Sequence, residues 1–239
     1  MVRFHALIPA AGGGTRFGAA RPKQYLMLAG KPVLVHSIER LSLAMPLEGT
    51  HVLLAPDDSH YAHVVGPRAG VTALRCGGST RAATVRNGLA ALRGIAGEAD
   101  WIVVHDAVRP CIDAASLCRL RAELGDDPVG GLLAVPMASS LKRSDAVRRI
   151  VRTEPRDHLW NAQTPQMFRY GVLCEALDRA GADAATDESQ AVEGLGLHPR
   201  LVMGSRINFK ITYPDDLALA EALLAAELRP STSPDRESA

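Results

Sequence analysis

The sequence predicts a doubly wound α/β protein, with a mostly parallel sheet covered by helices on both faces and a protruding β-hairpin arm. Three observations point there. Short apolar runs recur at residues 4–9, 50–55, 71–76, 101–105 and 131–135. They are continuous rather than alternating, as strands buried on both faces are. Between them lie stretches with helical spacing: Leu34, Ile38, Leu41 and Met45 recur at i, i+4, i+7 and i+11, and Val85, Leu89, Leu92 and Ala96 repeat the pattern. Strand–helix alternation of this kind folds into a parallel sheet because right-handed crossovers place helices on both faces. Ligands in such sheets sit beyond the carboxyl ends of the strands. The loops after Pro9, Cys76 and His105 are therefore the places to look for a site.

Residues 137–161 break the alternation. Two short β-like runs, 140–143 and 148–153, flank Ser144-Asp145. Neither has enough apolar surface for a core of its own, so the pair reads as an arm packing on a partner subunit or as a solvated surface hairpin. A final helix opens at Pro214 with Asp215 and Asp216 in its first turn, where a missing N–H and negative charge are both favourable. The chain has 239 residues, between one and two domains at ~150 residues each. It reads as one domain over 1–228, with the arm at about 137–161, and a disordered tail over 229–239.

Composition narrows the classes. Hydrophobic residues are 47% and charged residues 22%, as in soluble globular chains. With 27 Lys+Arg against 26 Asp+Glu the net charge is +1, so no global field favours nucleic acid or a membrane surface. The longest apolar runs fall far short of the ~20 residues of a spanning helix. The start, Met-Val-Arg-Phe-His, lacks a signal-peptide pattern, which points to the cytoplasm. Cys76, Cys111, Cys118 and Cys174 are scattered and read as reduced thiols. His60-x-x-His63 could face a metal from one helix side, but with no Cys or third His nearby it reads as a polar helix face.

The most informative stretch runs from Ile8 to Tyr25. A strand ends at Pro9, and Ala10 to Gly14 let the backbone approach a ligand closely and offer N–H groups to phosphate oxygens. Two dinucleotide motifs fail here. Gly12, Gly14 and Gly18 are spaced one residue too wide for the Rossmann fingerprint, and Glu39 lies inside a helical pattern instead of closing a strand. Gly13 and Gly18 have Walker A spacing, but Ala19-Ala20 replace its Lys-Ser/Thr. What the loop carries is cations: Arg16, Arg21 and Lys23. Charge moves onto the leaving pyrophosphate when a nucleoside triphosphate is attacked at its α-phosphorus, and fixed cations with backbone donors are what such a transfer requires.

Further motifs follow in order: Gly77-Gly78-Ser79-Thr80-Arg81 with Thr84-Val85-Arg86-Asn87-Gly88, Val104-His105-Asp106-Ala107-Val108-Arg109-Pro110, Leu141-Lys142-Arg143, Thr164-Pro165-Gln166, Thr186-Asp187-Glu188 and Asn208-Phe209-Lys210. With Pro9-Ala10-Ala11-Gly12 to Arg16 and Pro22-Lys23-Gln24-Tyr25, this series resembles the 2-C-methyl-D-erythritol 4-phosphate cytidylyltransferases of the non-mevalonate isoprenoid pathway, over residues 4–228. The resemblance implies a Rossmann-like nucleotidyltransferase fold, CTP and 2-C-methyl-D-erythritol 4-phosphate as substrates, and Mg2+ or another divalent cation as cofactor. It implies catalytic roles for Arg16 and Lys23 on the triphosphate, and for Arg156 and Lys210 on the acceptor phosphate. Ala10, Ala11, Gly12, Gly14, Gly78 and Thr84 would bind nucleotide, and Asp106, Arg109, Ser140, Thr164 and Thr186 the acceptor. Asp106 would also lie near the metal, which the CTP phosphates would mainly hold. The arm would swap across a homodimer, with Ser140 and Arg156 completing the partner's site.

The chemistry agrees with these roles. The nucleophile is a phosphate largely ionised at neutral pH, so no general base is required; two anions must instead be brought together by cations. Taken singly the residues stay ambiguous: Asp106 could cap the following turn, Lys210 could be a snorkelling strand-edge lysine, and Arg156 a surface charge. Two positions depart from the family pattern, Ser140 where threonine is usual and Thr84 where serine is common. Four extra residues lengthen the connection near Arg93 to Glu98. Some relatives carry a fused cyclodiphosphate synthase domain, and this chain reads as monofunctional. Two other readings remain open from sequence: a cytidylyltransferase for another polyol phosphate such as ribitol 5-phosphate, and a nucleotide-binding regulator without catalysis.

Overall fold

The computed structural model describes residues 1–13, 21–180 and 185–227. The tail expected at 229–239 lies outside them. In chain order the elements are β1 (Phe4–Pro9), the small hairpin β2 (Met27–Leu28) and β3 (Lys31–Pro32), α1 (Val33–Ala44), β4 (Leu47–Leu53), α2 (Tyr61–Val64), β5 (Val71–Leu74), α3 (Arg81–Ala91), β6 (Trp101–Val104), α4 (Ala114–Leu124) and β7 (Gly130–Pro136). There follow β8 (Leu141–Ser144), β9 (Ile150–Glu154), β10 (Trp160–Arg169), α5 (Tyr170–Ala180), α6 (Glu188–Glu193), β11 (Arg200–Met203) and α7 (Pro214–Glu227).

Seven strands form one sheet in the order β11-β7-β10-β6-β1-β4-β5. β1 pairs in parallel with β4 and β6, β4 with β5, and β7 with β11. β10 alone runs antiparallel, wedged between β6 and β7. The fold is thus the doubly wound, mostly parallel sheet expected, with one reversed strand that the apolar runs do not reveal. From β1 the strand order steps outward through β4 to β5, then returns to β6 on the other flank of β1. The carboxyl ends of β1 and β6 therefore flank a topological switch point, where such sheets bind ligands.

Alternation along β1 feeds two cores. Ala6 and Ile8 join Leu34, Ile38 and Leu41 of α1 and Leu117, Leu120 and Leu124 of α4 on one face. Leu7 joins Val85 and Leu89 of α3 and Leu173 and Leu177 of α5 on the other. Leu7 is fully buried, and truncating such a side chain to alanine costs about 2–5 kcal/mol. The helix starts are set by side chains: Thr80 accepts from the Ala83 N–H, Asp113 from the Ser116 N–H and Asp187 from the Gln190 N–H. α3 stops at Ala91, short of the periodic Ala96, because Gly94 takes φ +80 and turns the chain away. Gly131 sits where β7 and β11 run so close that a Cβ would lie 2.1 Å from the Arg200 carbonyl oxygen.

β8 and β9 pair only with each other, as a separate two-stranded sheet. Their hairpin leaves Val147, Ile150 and Val151 exposed. Among the described residues, no helix is long and apolar enough to cross a membrane.

Candidate active site

A cleft of about 440 Å³ opens at the switch point. Its walls come from the loop after β1 (Pro9 to Gly13), from Lys23 and Gln24, from the loop entering α3 (Gly78 to Arg81, with Thr84), from the loop after β6 (Asp106 to Val108), and from Lys210. The expected loops after Pro9, Cys76 and His105 all meet here.

The glycine loop is held from behind. The Ala10 N–H donates to the Leu53 carbonyl at 2.8 Å, and the Gln24 amide donates to the carbonyls of Ala10 and Gly12 at 2.8 and 3.2 Å. A Cβ on Gly77 would lie 2.5 Å from the Ala11 Cβ, so the two ligand-facing loops can meet only because residue 77 is glycine. Gly78 is clamped too: its N–H donates to Thr84 Oγ1 at 3.0 Å, and that hydroxyl donates to the Thr80 carbonyl at 2.9 Å. Lys23 follows Pro22 at the start of a short 3-10 turn, Lys23–Tyr25, and its ammonium reaches the Ile211 carbonyl at 2.7 Å. This bond ties Lys23 to the segment between β11 and α7 that carries Lys210. Arg16 and Gly14 lie outside the described residues.

The floor of the cleft is built around Asp106. Its Oδ1 accepts from Arg81 Nε at 3.0 Å; its Oδ2 lies 3.0 Å from Lys210 Nζ and 3.4 Å from Arg109 Nε. Burial alone would raise this carboxyl, but Arg81 first, then Lys210 and Arg109, outweigh it and hold the group well below the usual carboxylate range. Asp106 is thus an anion fixed among three cations. Arg81 also donates from Nη1 to Glu188 Oε1 at 2.6 Å. Burial pushes the Glu188 carboxyl up, against the pull of Arg81, while burial would lower Arg81 and its two acid neighbours raise it.

A buried network supports this floor. The Asp106 N–H donates to Thr164 Oγ1 at 3.0 Å, Thr164 Oγ1 lies 3.0 Å from His105 Nδ1, and Asn208 donates to the Thr164 carbonyl at 2.8 Å. Arg109 Nη1 donates to the Asn208 carbonyl at 2.7 Å. Thr164 and the Thr186-Asp187-Glu188 segment thus reach Asp106 through shared partners: β10 supplies Thr164, and Glu188 holds Arg81. Thr186 itself is exposed, with its N–H and hydroxyl on the Gln190 side-chain oxygen at 2.7 and 3.0 Å. Ser140 and Arg156 are exposed on the hairpin arm, where Arg156 donates to the Ala138 carbonyl; neither lines the cleft.

Gln24, Arg81 and Glu188 are not singled out by sequence reasoning. Arg81 and Glu188 stand inside quoted motifs, but nothing in their 107-residue separation signals that they meet. Cys111 is buried, and burial pushes its thiol up to about 11, so it is an inert core residue. His60 precedes α2 and His63 lies on it, exposed; among the described residues no cluster of three or more His, Cys, Asp or Glu could hold a metal ion. Both Asp106 oxygens are engaged by cations, so a divalent ion would need oxygen ligands from a bound phosphate.

A doubly wound sheet with a glycine loop after β1 and a floor of cations at the switch point defines a nucleotidyltransferase-like α/β enzyme. The family model for 2-C-methyl-D-erythritol 4-phosphate cytidylyltransferase matches residues 4–226, and the chain belongs to that family. It is 52% identical over 228 residues to the 2-C-methyl-D-erythritol 4-phosphate cytidylyltransferase of Dechloromonas aromatica, covering 95% of this chain and 99% of that one. The protein of the same name from Laribacter hongkongensis is also 52% identical over 228 residues, covering 95% of this chain and 98% of its own. Among solved structures, a 4-diphosphocytidyl-2C-methyl-D-erythritol synthase superposes with a TM-score of 0.83 at 41% identity, covering 94% of this chain and 99% of that one. The 2-C-methyl-D-erythritol 4-phosphate cytidylyltransferase from Thermus thermophilus gives 0.76 at 30% identity, over 94% and 100% of the two chains.

Proposed function

We propose that the cleft brings CTP and 2-C-methyl-D-erythritol 4-phosphate together and lets the acceptor phosphate attack the α-phosphorus of CTP directly. A P–O bond forms between the acceptor phosphate and the α-phosphorus, and the α–β bridging bond breaks. The products are 4-diphosphocytidyl-2-C-methyl-D-erythritol and pyrophosphate. The observation that carries this reading is the ring of cations converging on the floor at Asp106, opposite a glycine loop whose backbone is held open by Gln24.

In this reading Ala10, Ala11, Gly12, Gly14, Gly78 and Thr84 receive the cytidine and the phosphates nearest it. Arg16 and Lys23 neutralise the triphosphate as charge moves to the leaving group. Lys210 and Arg156 orient the acceptor phosphate, while Asp106, Arg109, Thr164, Thr186 and Ser140 shape the pocket for its polyol. Mg2+ or a similar ion would be held mainly by the phosphates of CTP, with Asp106 the one carboxylate among the described residues lining the cleft, and would supply further charge neutralisation. Arg156 and Ser140 stand on an arm with exposed Val147, Ile150 and Val151, so we propose a homodimer in which each arm completes the partner's cleft. The reaction would run in the cytoplasm.

The test is pyrophosphate release with CTP, Mg2+ and methylerythritol phosphate, with each omitted in turn and ribitol 5-phosphate in parallel. Release that needs CTP and methylerythritol phosphate supports the reading. Release with ribitol 5-phosphate alone overturns the acceptor, and CTP binding without turnover on any acceptor would make the chain a regulator.

A further inference from the structure

Arg81 carries a feature that the roles above leave unexplained. Its Nε meets Asp106 Oδ1 and its Nη1 meets Glu188 Oε1, but Nη2 is buried with no hydrogen-bond partner, as is Glu188 Oε2. Nε and Nη2 share one edge of the guanidinium, the edge with which arginine grips a carboxylate at both oxygens. The edge that faces Asp106 is therefore half used. The second carboxylate oxygen, which that edge would otherwise grip, is held instead by Lys210, with Asp106 Oδ2 at 3.0 Å from its Nζ, and Lys210 is the most exposed of the three cations around Asp106. An incoming phosphate competes with Asp106 for that ammonium. Arg109 is poorly placed to replace it, because its contact with Oδ2 is the longest of the three and its Nη1 is committed to the Asn208 carbonyl.

We propose that Arg81, braced by Glu188, is a positioning residue: it holds Asp106 in place when Lys210 turns to the acceptor phosphate, its Nη2 taking up the oxygen that Lys210 gives up. This rests on the reading in which Lys210 serves the acceptor. The exchange keeps a buried carboxylate paired throughout and lets the cleft release a cation to substrate without exposing an unpaired anion. A lysine at this position, a single point charge, could not span Asp106 and Glu188 together.

The experiment is a double-mutant cycle read by steady-state kinetics on the full chain, with CTP affinity and thermal unfolding measured alongside. Arg81→Lys is expected to lower kcat/KM for methylerythritol phosphate about 100-fold, while the KM for CTP moves less than about threefold. Because Arg81 acts through Asp106, Arg81→Lys combined with Asp106→Asn should be no worse than Asp106→Asn alone. Glu188→Ala should lower acceptor kcat/KM about tenfold, and Glu188→Gln, which keeps an acceptor oxygen for Nη1, should recover most of it. Full additivity of the two single losses, equal damage to CTP and acceptor use, or an unaffected Arg81→Lys would each overturn the assignment. A wild-type chain that turns over CTP with another acceptor only would count against the acceptor reading, and this inference would fall with it.

Discussion

Acidification should destabilise this protein well above the carboxylate range, and His105 is the main reason that can be given a magnitude. The ring is fully buried; Nε2 faces the Arg109 carbonyl at 3.2 Å, and Nδ1 faces Thr164 Oγ1 at 3.0 Å. A carbonyl can only accept, so Nε2 bears the proton and Nδ1 accepts from the threonine hydroxyl: the neutral ring fits both partners. Burial drives the histidine down to about 4 from an ordinary 6.5, against the pull of Asp106. The native state therefore resists protonation while the unfolded chain accepts it. The contribution is complete above about pH 6.5, is lost as pH falls toward about 4, and amounts to about 3 kcal/mol in all. His5 and His51, also lowered by burial, add to the loss in the same direction. Urea unfolding between about pH 7.5 and about pH 4.5, for the wild type and His105→Gln, separates the parts. The wild type should lose about 2–3 kcal/mol more than the variant over this range. Equal losses would refute the neutral buried histidine.

Other outcomes follow from the same geometry. Lys23→Ala should lower kcat about 100-fold with the fold intact by circular dichroism, since it removes a cation that lines the cleft. Gly78→Ala places a Cβ 2.6 Å from the Ala83 Cβ and 3.0 Å from its backbone carbon, so the loop must shift; CTP affinity should fall about tenfold, with about 1–3 kcal/mol lost in urea unfolding. Arg156→Ala should raise the acceptor KM with little change for CTP. Mixed with Lys23→Ala it should regain activity in heterodimers if the arm serves the partner's cleft, and initial rates of the mixture would show no recovery if it does not.

Much of this is legible in the sequence because the informative residues are local. β1 reads from Phe4 to Pro9, as observed, because its run is apolar but for His5 and a glycine loop ends it. β10 does not, because Trp160–Arg169 mixes Asn161, Gln163, Thr164, Pro165 and Gln166 into a strand; it is buried from Gln163 to Phe168, and the buried Thr164 there serves the site. β11 is a four-residue edge strand with too little pattern to read. In the site, the glycine loop, Lys23, Asp106 and Lys210 stand out as the ends of recognisable segments, and the fold brings them together. Arg81 and Glu188 escape because an ion pair between α3 and α6 is a property of the packed sheet, with no trace in local spacing.

In the proposed mechanism no group of the protein becomes bonded to the cytidylyl unit, and a cation-lined floor merely aligns two phosphates. Stereochemistry at the α-phosphorus tests this most directly. With a single diastereomer of an α-thio CTP and methylerythritol phosphate, one in-line displacement predicts inversion of configuration in the product. Retention would require two displacements through an enzyme-bound intermediate and would contradict the account.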